Sequence, residues 1–383
     1  MNIEAPDPTC RYLACLRDLE PLVKEHRASF DRDRQLPDPV FEALADAGLF
    51  RLWLPRSLGG PELSPLQFMS VVEAASAMDG TIGWLVGNGG GMSRTGGYLD
   101  STIAREIFSH QRTFMVSATG AVCSAREVDG GYRVTGRWPF GSGAPHGSHF
   151  MGLAAVENAD SPGQIVCCYL DRVQVTVHDT WHVSGLRGTG SSDFEVFNAF
   201  VPTRRTHPFI GHEPVENGLL YRMPPISVFS WTVSVVPLGI ARGAIYSFVS
   251  LALRKAKQGA NLLRDREVVQ TMVGRVEALH AAARSFLVEA MTELVAATNI
   301  GGHRLVEARA RLRIATAHAA ETAVRIVEML AAEAGATAIF ESGPLERAIR
   351  DVQAATKHIA MTPSSYGVYG RVTLGLDPGT TRF

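Results

Sequence analysis

The apolar pattern of this chain changes period twice, from helical to alternating and back, and that constrains the fold more than any single motif. Residues 11–28 carry apolar positions at helical spacing, and Asp38-Pro39 followed by Val40, Leu44 and Gly48 reads as cap, first-turn proline, helix and stop. Ser64-Pro65 opens Leu66–Met78, Asp79 caps a further apolar segment through Trp84, and Leu54-Pro55…Gly59-Gly60 is a connector. From Thr113 short alternating or β-branched runs take over, at 113–118, 132–140, 149–156, 164–170, 173–178 and 194–201. Asp129-Gly130-Gly131 supplies a tight hairpin turn and Asp160-Ser161-Pro162-Gly163 a second loop, so antiparallel pairing is expected. After Pro202 helical segments return near 229–258, 264–298, 303–334 and 345–360. In the third, Leu305, Leu312, Ala319 and Ile326 fall seven apart and build a seam. The expected architecture is α+β and mainly α: an N-terminal helical domain (1–112), a central antiparallel β-domain (113–208) and a C-terminal four-helix bundle (209–383).

A net charge of −1 leaves no basic excess to attract nucleic acid or an anionic membrane. Met1–Arg17 carries Glu4, Pro6 and Asp7 where a secretory leader needs a basic start and an apolar run, and no uninterrupted apolar stretch reaches about 18 residues. Five cysteines without paired CxxC spacing fit a reducing cytoplasm. No HExxH and no Cys–His spacing supports a metal, and no GxSxG supports a triad hydrolase. Gly87-Asn88-Gly89-Gly90-Gly91 lies in a helical context and reads as close packing, not as a phosphate loop.

Two segments of the β-domain are chemically richer: Gly136-Arg137-Trp138-Pro139-Phe140-Gly141-Ser142-Gly143-Ala144-Pro145-His146, and Trp181-His182-Val183-Ser184-Gly185-Leu186-Arg187-Gly188-Thr189-Gly190-Ser191-Ser192-Asp193. Each sets hydroxyls beside glycines and an aromatic, which is what a flat heteroaromatic ring needs: close backbone, short donors and a wall. The competing reading is of strand ends whose Ser and Thr satisfy local backbone.

The order of Leu54-Pro55…Gly59-Gly60, Gly136-Arg137-Trp138…Ser142-Gly143, Gly185-Leu186-Arg187-Gly188-Thr189-Gly190-Ser191 and Val201-Pro202 resembles the acyl-CoA dehydrogenase superfamily over nearly the whole chain. It looks most like the two-component flavin-dependent monooxygenases of that fold, and Arg350-Asp351-Val352-Gln353-Ala354…His358 is similar to their closing signature. A dehydrogenase of the superfamily needs a glutamate base near the C-terminus or at the start of the bundle. Here Met223–Gln258 contains no acid, and Lys357–Phe383 contains only Asp377, in a turn. His358 stands where the monooxygenase branch carries a histidine.

The resemblance implies a reduced flavin (FMNH2 or FADH2) delivered by a separate NAD(P)H:flavin reductase, O2 as co-substrate, no metal, a homotetramer or at least a dimer, and a small-molecule substrate. Hydroxylation of an aromatic or polyketide-like compound through a flavin C4a-hydroperoxide is the leading activity, with N-oxygenation close behind. A dehydrogenase that keeps FAD bound, and a non-catalytic binding protein built on the bundle, are the alternatives. The resemblance further implies that Ser142 serves the flavin N5 and His358 is a substrate-side base. Trp138 would wall the ring, beside Gly143. Arg187, Thr189 and Ser191 would serve the flavin edge or phosphate, Arg254 a flavin phosphate, and Ser117 the substrate. Trp138 as core, Ser117 as a solvent-facing strand residue and Arg254 as a solvated arginine are the competing readings. Some members add a second histidine near residue 90, where this chain reads Gly90-Gly91-Met92-Ser93. Arg347 and Asp351, four apart, are expected to form a local helix pair.

Overall fold

A computed structural model describes residues 7–157, 163–255, 262–380 and 382–383. The expected loop at 160–162 and the end of the expected helix 229–258 lie outside the described residues. Twelve α-helices are described: α1 (Thr9–Asp33), α2 (Asp38–Asp46), α3 (Pro65–Met78), α4 (Gly80–Met92), α5 (Ser101–Phe108), α6 (Leu219–Arg222), α7 (Pro225–Ser234), α8 (Val236–Ala252), α9 (Glu267–Thr298), α10 (Gly302–Ala334), α11 (Pro344–Ala355) and α12 (Ser364–Thr373). The chain divides into two compact units. One holds residues up to Phe68 with Leu85–Val183 and Arg187–Arg222; the other holds Met69–Trp84, Ser184–Leu186 and Met223–Phe383.

The first unit is built on strands β1 (Met115–Val128), β2 (Gly131–Gly141), β3 (His149–Glu157), β4 (Ile165–Asp171), β5 (Thr176–Val177), β6 (Ser192–Pro202) and β7 (Thr206–Pro208), in the order β5-β6-β2-β1-β3-β4-β7. Gly130, at φ +75°, makes the β1–β2 hairpin that Asp129-Gly130-Gly131 predicts. The sheet is mixed, which corrects the antiparallel expectation: β1 and β3 run parallel, with Met115 opposite His149. The cause is local. The hairpin returns β2 to the start of β1, and the short stretch 142–148 steps around that start, so β3 leaves in the direction of β1. Side chains on one face form a core in which Trp138, Phe150 and Phe194 are wholly buried.

The glycine run lies inside α4. A β-carbon on Gly89 would stand 2.5 Å from the Phe114 ring and 2.9 Å from Phe50, so the glycines admit aromatic side chains against the helix.

In the second unit α8, α9, α10 and α11 form the four-helix bundle, with α7, α12 and the end of α3 against it. Leu312, Ala319 and Ile326 are buried as the heptad predicts, and alanines at 315, 319, 320 and 323 let neighbouring helices approach. The segment expected as one helix from 229 breaks at Val235, because Pro237 is stereochemically suited to a first turn and not to an interior. Together Pro225–Ala252 is long and apolar enough to span a membrane by composition, yet 61% of that window is buried inside the fold.

Candidate functional site

The β2 and β6 strand ends carry a chain of hydroxyls. Gly141 pairs with Ser192, and the register slips just before, between Trp138 and Gly141. Pro139 offers no N–H to the ladder there, Phe140 takes φ +63°, and the N–H of Ser142 turns back to the Phe140 carbonyl at 2.9 Å. Gly143, at φ +78°, then donates its N–H to the Thr189 carbonyl at 2.8 Å, clamping the two segments together. Across this clamp Ser142 Oγ lies 2.9 Å from Ser191 Oγ, which lies 2.7 Å from Thr189 Oγ1. All three residues are buried. The sequence names these hydroxyls separately; the structure joins them into one polar line.

Trp138 packs in the core of the sheet, which supports the competing reading of this residue as core. Its indole is fully buried, stacks on Phe194 with centroids 5.2 Å apart, and donates Nε1–H to the Leu153 carbonyl at 2.9 Å. Gly152 lies so close that a β-carbon there would meet the indole at 2.5 Å. The exposed aromatic beside the hydroxyls is Phe140, 67% exposed and edge-on to Trp181 at 6.3 Å. Phe140 was missed because strand alternation says nothing of a bulge that turns a side chain outward. Ser117, half-buried, lies on β1 opposite Met151, and Arg187 is half-buried with Nε on the Val183 carbonyl at 2.9 Å.

In the second unit α11 ends at Ala355, short of the expected 360, so His358 lies past the helix that carries Asp351. His358 has extended backbone angles and caps the short turn Ile359–Met361, its Nδ1 accepting the Ala360 N–H at 3.2 Å. A side chain that takes a nearby N–H competes with helix continuation. With the Nδ1 lone pair engaged, the neutral ring carries its proton on Nε2 and offers a donor there. Loss of hydration around the half-buried ring, and secondarily Arg382, lower its pKa to about 4. Trp84 stands edge-on at 5.7 Å.

Asp351 is buried and accepts the Leu186 N–H at 2.7 Å. Arg347 reaches Asp79 Oδ2 at 2.9 Å and Asp351 Oδ2 at 3.7 Å. The expected local helix pair is present, but it is buried and joined by Asp79, and burial raises the Asp351 pKa despite Arg347. Helical spacing shows Arg347 beside Asp351 but cannot show Asp79, 268 residues from Arg347. Arg254 is exposed at the end of α8 and holds the Ser250 carbonyl and hydroxyl. Asp377 is an exposed turn residue, its side chain taking the Gly379 N–H.

Residues 17–97 match the family described as acyl-CoA dehydrogenase, N-terminal domain, and residues 231–363 match acyl-CoA dehydrogenase, C-terminal domain. The indole-3-acetate monooxygenase of Pseudomonas putida is 31% identical over 352 residues, covering 91% of this chain and 90% of the relative. The chain belongs to the acyl-CoA dehydrogenase superfamily, in its flavin-dependent monooxygenase branch. Another branch member, the HsaA monooxygenase of M. tuberculosis, superposes with a TM-score of 0.90 at 26% identity, covering 98% of this chain and all of that one (100%). XiaF from Streptomyces sp., solved with FADH2 and glycerol, shares the fold with a TM-score of 0.88 at 24% identity, covering 97% of each chain. This monooxygenase-branch chain is an enzyme, an oxidoreductase, and its mainly helical fold with a central sheet is that of the superfamily.

Proposed function

We propose that the chain is the oxygenase component of a two-component system, hydroxylating an aromatic or polyketide-like small molecule with O2 and with FMNH2 or FADH2 from a separate NAD(P)H-dependent reductase. A relative from Rhizobium, 26% identical over 396 residues, is named an FADH2-dependent resorcinol hydroxylase, oxygenase component. When bound, reduced flavin supplies the electrons by which one atom of O2 enters the substrate and the other leaves as water.

The observation that carries this reading is the histidine. His358 would take the place of a dehydrogenase's carboxylate; its Nδ1 accepts the Ala360 N–H and burial lowers its pKa to about 4, which keeps the ring neutral.

The hydroxyl line fits the polar edge of an isoalloxazine, being buried, preorganised and flanked by backbone without a side chain at Gly143. Ser142 would hold the N5 edge, with Thr189, Ser191 and Arg187 along the remaining polar atoms and Phe140 in the wall role first given to Trp138. His358 would present Nε2–H to an oxygen of substrate or oxidant, and would act as a base only on releasing Ala360. Ser117 is assigned to substrate. The acid-free stretch Met223–Gln258 offers no side-chain proton source, which favours a dry reaction space. Tyr246, Val249 and Leu253 form an exposed apolar stripe on α8 and just past its end, suited to a homotetramer, and Arg254 beside them would reach a flavin phosphate of a neighbouring subunit. A cytoplasmic location goes with this chemistry.

The test is a single turnover. Anaerobic protein is loaded with FMNH2 or FADH2 and an aromatic substrate, exposed to O2, and assayed for hydroxylated product against H2O2. Product in preference to H2O2 supports the reading. A protein purified yellow with tight FAD, giving neither product nor reduced-flavin binding, overturns it in favour of a dehydrogenase.

A further inference from the structure

Helix α10 carries Arg309 and Arg313 one turn apart, on the same face. Both are half-buried and line a small cavity with Ser227 of α7, Thr316, Ala360 and Phe383. The cavity measures about 10 Å3, room for one water-sized atom, and no acidic side chain lines it. Among the described residues neither guanidinium meets a carboxylate. Arg309 lies over the Phe383 ring at 4.4 Å, and Arg313 Nη1 donates to the Arg382 carbonyl at 2.8 Å. The Nε atom of each is enclosed without an acceptor. Arg311, between them in sequence and on the other side of the helix, is paired with Glu289 and Glu293, so this pairless state belongs to the cavity side.

Two like charges one turn apart repel, and their partial removal from water adds to the cost. Burial accordingly lowers both arginine pKa values, and Arg313 lowers that of Arg309 further. A water in the cavity would accept hydrogen bonds but leave both charges uncompensated. A carboxylate or a phosphate is too large for the space. A monatomic anion meets both needs, because it accepts from several N–H groups and offsets the charge as well.

We propose that Arg309 and Arg313 hold one chloride ion, with the buried Ser227 hydroxyl as a further donor. The ion would tie α10 to α7 and brace the turn that carries His358. Thr316 and Ala360 line the same cavity, Thr316 Oγ1 donates to the Ala360 carbonyl at 3.0 Å, and the Ala360 N–H is the one His358 accepts. The site belongs to the fold and takes no step in oxygenation, so it can be tested without flavin.

Sodium gluconate is exchanged for sodium chloride at constant ionic strength, and the Tm of the full chain is followed. Binding at one site should raise Tm by roughly 1–3 °C along a curve that saturates, whereas a general salt effect does not saturate. Arg309→Gln and Arg313→Gln each remove one charge and should flatten the curve. In crystals grown with bromide, an anomalous peak is expected in contact with both arginines of the wild type and absent from the variants. The wild-type curve and the bromide peak decide even where a variant fails to fold. A wild-type Tm without a saturating response to chloride overturns the inference, and so does a saturating response kept in both variants. A bromide peak without that response would mark an adventitious ion only and overturns it too. An altered oligomeric mass in the variants, with no chloride response in the wild type, would assign the arginines to a contact between copies instead.

Discussion

Asp351 Oδ1 accepts the backbone N–H of Leu186 at 2.7 Å, so a carboxylate on α11 holds a residue 165 positions earlier in the chain. Leu186 sits at φ +52°, a conformation unusual for leucine, and Gly185 beside it lies where any side chain would collide with the Arg350 carbonyl. Leu186 leads directly into Arg187-Gly188-Thr189-Gly190-Ser191, the source of two of the buried hydroxyls. Asp351 therefore holds the Leu186 backbone and balances Arg347.

Replacing Asp351 separates these two tasks. Asp351→Ala removes the acceptor for Leu186 and one of the two carboxylates near Arg347, and should cost about 3–5 kcal/mol by urea unfolding. Asp351→Asn keeps an oxygen for Leu186 and should cost clearly less. Equal losses in the two variants would mean that the charge beside Arg347, and not the grip on Leu186, matters most.

Ser191 is the middle of the hydroxyl line, within 2.9 Å of Ser142 and 2.7 Å of Thr189. Ser191→Ala breaks both links and should lower stability by about 1–3 kcal/mol. Under the proposed function it should also raise the share of O2 released as H2O2, because a loosened donor no longer holds its geometry. Unchanged coupling, measured as product per flavin oxidised, would confine Ser191 to a structural role.

Trp138 and Phe140 are two residues apart and should behave oppositely. Trp138→Phe leaves the Leu153 carbonyl without its indole donor and opens space in the core, for a loss of about 1–3 kcal/mol with reduced-flavin affinity kept. Phe140→Ala removes a side chain that is 67% exposed, and should leave Tm nearly unchanged while weakening reduced-flavin binding. Affinity lost at Trp138 and kept at Phe140 would restore the reading made from sequence.

Element types were legible because period, proline and glycine act locally: the hairpin at Gly130, the burial of Leu312, Ala319 and Ile326, and the helical setting of Gly87–Gly91 all follow from residues within a turn or two. What escaped depends on which distant segments meet. The parallel β1–β3 pair follows from where β2 ends in space, and the charge cluster joins Asp79 to Arg347 across 268 residues. Two readings of Trp138 stayed open in the sequence because an aromatic beside glycines reads alike from either face of a sheet, whereas the bulge at Pro139-Phe140 decides which ring turns outward.

Gly89 tests the packing account of the glycine run. With Phe114 at 2.5 Å and Phe50 at 2.9 Å from the position of a β-carbon, Gly89→Ala must displace an aromatic ring and should cost about 1–3 kcal/mol, outweighing the gain of about 1 kcal/mol in helix propensity. A more stable variant would show that the rings yield easily.

His358 sets the acid side of the behaviour. Its folded pKa of about 4 lies below the ordinary 6.5, so between these values the unfolded chain binds the proton more readily than the folded one. The stability this histidine contributes is complete above about pH 6.5 and is lost as pH falls toward 4, at no more than about 1.4 kcal/mol per pH unit. The buried His207, also near 4, acts in the same direction, whereas Asp351, with its pKa raised, is stabilising on acidification and partly opposes them. His358→Gln should therefore flatten the pH dependence of unfolding between pH 6.5 and 4. Under the proposed role, the wild-type oxygenation rate should show no break near 6.5 from this residue, because the ring stays neutral well below that pH. A break near 6.5 that disappears in His358→Gln would mean that the working ring is hydrated and titrates normally, which would remove the enclosed neutral imidazole from the mechanism.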